Sequence, residues 1–212
     1  MGCLFSFSGK KTCACPVREN TSMRREFRRP AAGSFGLGRV SSERRIRRTK
    51  MREPQKELES IAALLAEETT LALATSGEEG EPAVAPLFYL ADEELSLYWL
   101  SSESSAHSEN LAGTPRAAVA VYRSTTNWRQ IRGVQMRGMV SRVTELRQRR
   151  ALIHAYCERF KLGTAFRLVI RRSVLYAFRP DWIRSIDNAT GFGSRLELAR
   201  GPEGWIITHP AD

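Results

Sequence analysis

Two glycine-marked segments in the C-terminal half constrain this chain more than any other feature. Ile131-Arg-Gly-Val-Gln-Met-Arg-Gly138 alternates as a strand does, but carries glycine at 133 and 138. Glycine inside a strand marks a bend or the close approach of another backbone. Tyr176-Ala-Phe-Arg-Pro-Asp-Trp-Ile-Arg-Ser-Ile186 runs into Asp187-Asn-Ala-Thr-Gly-Phe-Gly193, which reads as a β-arch ending in a Gly-Phe-Gly turn. Glycines on both sides of Phe192 suit backbone at positive φ or pressed against a neighbour.

The segments before and between them follow two periods. Residues 54–68 place Leu58, Ile61, Leu64 and Leu65 on one helical face, with Pro54 in the first turn. Strands are expected over 69–76, 82–90, 94–101 and 116–123, with a long fifth strand over 127–143 bent at Gly133 and Gly138. A short helix over 104–112 closes at Gly113 and Pro115. A longer one over 144–160, capped by Thr144, turns Leu152, Ala155 and Tyr156 to the core. A further short helix over 164–170, strands over 174–178 and 182–186, and a hairpin over 195–208 complete the chain. Helices punctuating an antiparallel meander predict an α+β fold with a closed or nearly closed sheet, because closure removes exposed strand edges.

Both segments and this element order resemble the pyridoxamine 5′-phosphate oxidase-like superfamily, specifically a small bacterial branch whose chains end in Asp-Asn-x-x-Gly-Phe-Gly. The resemblance covers roughly residues 54–200. It implies an antiparallel split β-barrel of about six strands, Greek-key in type, with flanking helices. It also implies an FMN cofactor, with deazaflavin or haem as alternatives, and an oxidoreductase acting on an unknown small molecule. A homodimer is implied as well, with the cofactor between protomers. Authentic pyridoxamine phosphate oxidases end in a Trp-Gln-Gly and Arg-Leu-His type of pattern. Gly193-Ser-Arg-Leu-Glu197 lacks that histidine, so the activity is expected to differ. The competing reading is a non-catalytic ligand-binding or structural barrel.

The residues themselves supply a candidate phosphate cradle. Leu97-Tyr-Trp-Leu-Ser-Ser-Glu-Ser-Ser-Ala-His107 delivers a strand to a helix start, where unpaired N–H groups and the positive dipole end favour an anion. Ser101, Ser102 and Ser105 add hydroxyls, and His107 adds an imidazole whose pKa a phosphate would raise. Ala106 stands where the superfamily often carries a second basic residue, and Glu103 brings a like charge to the cradle. By resemblance, Pro86 and Phe88 would run along the flavin. Gln135, Trp182, Asn188 and Phe192 complete the candidate cofactor-binding set. Catalytic residues are unassigned and no metal site is expected. Flavin carries its own redox chemistry, so the lack of an obvious acid–base pair distinguishes nothing.

Composition matters for partners. Residues 1–50 hold 13 Lys and Arg against 3 Asp and Glu, whereas residues 51–212 hold 20 of each. The chain's net charge of +10 therefore belongs to the first fifty residues, which are read as a disordered basic tail, or as a mis-called start preceding Met51. Residues 51–212 are expected to form the folded domain. Its neutrality predicts no nucleic-acid partner, and the lack of a long apolar run predicts no membrane partner. Cys157 is the single thiol of residues 51–212, which suits a reducing, cytoplasmic setting.

Overall fold

The computed structural model describes residues 54–209. The tail expected at residues 1–50 and the alternative start at Met51 lie outside the described residues.

Helix α1 (Pro54–Glu67) buries Ile61, Leu64 and Leu65, three of the four residues expected on its apolar face. Among the described residues nine strands follow in one antiparallel sheet: β1 (Thr70–Ser76), β2 (Pro82–Phe88), β3 (Leu90–Ala91), β4 (Leu97–Ser102), β5 (Arg116–Tyr122), β6 (Arg132–Arg142), β7 (Ser173–Asp187), β8 (Arg195–Gly201) and β9 (Gly204–His209). The spatial order is β2-β1-β5-β6-β7-β4-β3, with the β8–β9 hairpin attached to β7. Helix α2 (Ala106–Gly113) joins β4 to β5, while α3 (Leu146–Arg159) and α4 (Arg167–Arg172) lie between β6 and β7. The fold is α+β, a curled antiparallel split-barrel sheet with flanking helices.

Period-two alternation gives this sheet two faces. Leu71 and Leu73 of β1, Val119 and Val121 of β5, and Val134 and Met136 of β6 point inward. They pack with Trp99, Phe178, Ile183 and the α1 leucines in the main core. A second, smaller cluster of Tyr98, Val143, Leu175 and Ala177 lies under Leu152 of α3.

Several expectations change here. β7 is one 15-residue strand and not two. Pro180 suggested a break, but it sits at a register shift where Arg137 faces Trp182 and Gly138 faces Pro180, leaving Asp181 as the extra residue of a bulge. A bulge tolerates proline because the ladder is already interrupted. The glycines of β6 mark close approaches, and Gly138 also sits at the register shift against β7. A Cβ at Gly138 would lie 2.1 Å from the Arg179 carbonyl oxygen, and one at Gly133 would lie 2.9 Å from Tyr122 Cβ. Residues 127–131 leave the expected fifth strand: Asn127 accepts a bond from the Arg129 amide and caps a 3₁₀ turn at Trp128–Gln130. Helix α3 is capped by Glu145, one residue later than expected, through bonds from the Arg147 and Gln148 amides. Ala155 is exposed rather than core-facing. Residues 164–166 form a 3₁₀ turn before α4 begins. Finally, residues 188–194 are not an arch between sheets. β7 and β8 pair with each other, so this loop is a hairpin connection.

Candidate functional site

Four of the expected residues meet at the β4–α2 junction. Ser101 Oγ lies 2.5 Å from His107 Nε2 and 3.2 Å from Ser105 Oγ, and Ser105 Oγ lies 3.0 Å from the same imidazole nitrogen. Ser105 also reaches the Ser102 carbonyl and Ser108 Oγ, both at 2.9 Å. Ser105 is the N-cap residue of α2, yet its side chain makes no capping bond to the first turn. The early amides of α2 therefore keep the outward donor character of any helix start. Burial pushes the His107 pKa below its usual value, so its resting form is neutral.

Arg142, at the end of β6, was not anticipated here. Its Nη2 lies 2.6 Å from Glu103 Oε1, so the like charge expected at the cradle is paired. Beside it a pocket of about 60 Å³ is lined by Ser108, Ser141, Arg142 and Tyr176. The Tyr176 hydroxyl is buried and has no partner among the described residues.

A second group occupies the outer face of the sheet. Strand register aligns Pro86, Ala72, Ala120, Gln135, Arg184 and Glu197 across six strands. The adjacent row runs Val84, Ala74, Ala118, Arg137 and Trp182. Between these rows lies a groove of about 500 Å³, floored by Ala72, Ala74, Ala118 and Ala120. Trp182 is stacked under the Arg137 guanidinium at 3.9 Å, with Arg184 at 5.1 Å. Arg184 is held by Glu197 at 2.8 Å and reaches Gln135 at 3.4 Å, while Arg137 has no ion pair among the described residues. Of the expected set, Gln135 and Trp182 line this groove. Pro86 and Phe88 share its face, and Phe88 is capped by Phe160, the residue that ends α3, at 4.8 Å between ring centroids.

Asn188 and Phe192 belong to a third place. Asn188 Nδ2 donates to the Trp128 carbonyl at 2.8 Å, and its Oδ1 accepts from the Gly193 amide at 3.2 Å. Phe192 is 84% exposed and meets Trp128 edge-on at 5.4 Å. Gly193 has φ of +72°, the left-handed turn that its position demanded. The expected ten residues thus form three groups.

The profile of the family described as pyridoxamine 5′-phosphate oxidase matches residues 58–187. The chain belongs to the pyridoxamine 5′-phosphate oxidase family. That match takes in β1 to β7, both sides of the groove and the cradle; the Gly-Phe-Gly loop lies beyond it. Among relatives in this family, the UPF0306 protein YhbP of Escherichia coli O157:H7 is 33% identical over 130 residues, 58% of this chain and 81% of YhbP. A heme binding protein from Mycobacterium smegmatis superposes with a TM-score of 0.55 at 20% identity, over 70% of this chain and 58% of that one. HutZ, the heme storage protein of Vibrio cholerae, superposes with a TM-score of 0.50 at 20% identity, over 57% of this chain and 88% of HutZ. At that identity the two structures support the split barrel itself.

The candidate residues that sequence reasoning missed are Arg137, Arg142 and Arg184. Each lies on a strand, where an arginine reads as an ordinary solvent-facing residue. Only the register of β6 against β7 brings Arg137 and Arg184 to one tryptophan.

Proposed function

We propose that this chain is an FMN-binding oxidoreductase acting on a small molecule and working as a homodimer. The observation that carries the reading is the cluster of Ser101, Ser105 and His107 at the start of α2. The donor set fits a phosphate: hydroxyls, first-turn amides and an imidazole, with the Arg142 cation beside them. The alanine floor fits a flat ring, since no side chain rises above Cβ across two neighbouring strands. In this reading Ser101, Ser102, Ser105 and His107 hold the phosphate, and His107 takes up a proton as it does so. Gln135, Trp182 and the face of Pro86 and Phe88 bound the ring, and Arg137 meets an anionic substituent of cofactor or substrate. Bound flavin would supply hydride or electron transfer.

Haem in the same groove is the second reading. It is favoured by the open alanine floor flanked by Arg137 and Arg184, which suits a flat apolar macrocycle with carboxylate arms. The heme binding and heme storage proteins that share the fold point the same way. Asn188 and Phe192, by contrast, are read as a loop pin and an exposed ring.

Absorbance titration of the purified chain with FMN, riboflavin and haemin separates these readings. FMN binding tighter than riboflavin, and weakened by Ser105→Ala, supports the first. A Soret shift without flavin binding selects the second. Binding of neither leaves the structural barrel.

A further inference from the structure

The balance of 20 basic and 20 acidic residues over positions 51–212 conceals a strong segregation. Residues 54–115 carry twelve Asp and Glu against Lys56 alone, whereas residues 146–172 carry eight Lys and Arg against Glu158 alone. The basic stretch is the helical excursion α3–α4, which leaves the sheet after β6 and returns at β7. Only Tyr156 of α3 is buried. Arg149 and Arg159 are tied to backbone carbonyls of Ser173, Ala66 and Glu68. Arg147, Arg150, Lys161, Arg171 and Arg172 make no ion pair among the described residues.

The same excursion exposes large apolar side chains: Leu146 at 68%, Phe166 at 47%, Leu168 at 58% and Val169 at 56%. A groove of about 880 Å³ between α3 and α4 is lined by Ile153, Leu162, Leu168 and Ile170, together with Arg150 and Arg171. Cations alone would suit any polyanion. Cations flanking an exposed aliphatic and aromatic tip suit a surface that is anionic outside and hydrocarbon beneath. Arginine stems lie along apolar material while their heads reach phosphate, and short amphipathic helices bind anionic bilayers by this division of labour.

We propose that the α3–α4 excursion is a peripheral docking surface for an anionic phospholipid bilayer. Phe166, Leu168 and Val169 enter the headgroup layer, and Arg150, Lys161, Arg171 and Arg172 meet the lipid phosphates. No helix among the described residues is long and apolar enough to cross a membrane, and seating of this kind requires none. The sequence expectation of no membrane partner rested on that missing span, which bears on crossing and not on docking. The proposal is independent of the cofactor.

The test is flotation of the full chain with vesicles of phosphatidylcholine, with and without phosphatidylserine. The chain should float only with phosphatidylserine, and salt should release it. Arg171→Gln with Arg172→Gln should lower partitioning roughly thirtyfold, from about 1 kcal/mol per surface charge. Phe166→Ser with Leu168→Ser alters no charge and, at exposed positions, should leave the circular dichroism intact; it should also lower partitioning. Failure to float with phosphatidylserine overturns the proposal. So does flotation that neither double variant changes, which would assign binding to residues 1–50. Retention on a polyglutamate matrix without flotation replaces the lipid with an acidic protein.

Discussion

His107 stands between opposed demands on an imidazole. Burial lowers its pKa, and a neighbouring phosphate would raise it. The sign of each consequence follows. In the free protein the depressed value means that the unfolded chain takes up a proton first, so His107 costs stability as pH falls through its unfolded value of about 6.5. With a phosphate ligand the imidazolium is favoured, and binding takes up a proton between the free and bound pKa values. FMN affinity should therefore strengthen toward pH 6 and weaken toward pH 8. His107→Ala should remove that dependence and weaken FMN about ten- to a hundredfold, the value of a charge-assisted bond. Riboflavin affinity should not change. Equal FMN affinity in wild type and variant across that range would show that the phosphate sits elsewhere. The serine run and His107 were legible because they lie within seven residues of one strand–helix junction. Arg142 was not, being brought to Glu103 only by the pairing of three strands.

At the level of elements, Asn188 is the side chain that ties the hairpin loop after β7 to the turn at Trp128–Gln130. Asn188 bridges the Trp128 carbonyl and the Gly193 amide, and its own amide donates to the Ile131 carbonyl at 3.0 Å. Asn188→Ala leaves one acceptor and one donor without their partner and should cost about 1–3 kcal/mol in urea unfolding. Phe192→Ala removes a ring that is mostly in water and should stay within about 0.5 kcal/mol. The reverse order would mean that the loop is pinned by its aromatic pair. Helix faces and most strand bounds were readable from periodicity, because α1 and β1 alternate against a single core. The two misread parts of β7 share a cause. Pro180, Asp187 and Asn188 are turn formers in isolation, and only pairing of β7 with both β6 and β8 makes a bulge of the first and a hairpin end of the others.

For the molecule as a whole, the outer sheet face is the feature that alternation predicts least well. An antiparallel sheet with one solvated face should place polar residues there. Here the centre is Ala72, Ala74, Ala118 and Ala120, and Val84, Phe88, Tyr122 and Met139 are exposed around it. Such a patch on a monomer marks an interaction surface. Two copies facing each other about a two-fold axis would pack sheet on sheet, with small residues allowing close approach at the centre. A stable interface needs roughly 800 Å² per partner, an area of some 20–30 residues. Light scattering at micromolar concentration should return twice the 23.9 kDa chain mass. Ala120→Arg puts a cation from each copy into the middle of the contact, where burial without a counter-charge is costly. That variant should be a folded monomer with unchanged circular dichroism. Met139→Arg, on the same face but outside the groove lining, tests whether the site is shared: if that monomer loses flavin binding the groove needs both protomers, and if it keeps wild-type affinity each chain holds its ligand alone. A variant that stays dimeric would place the interface on another face of the barrel and leave the alanine floor open to the small-molecule substrate.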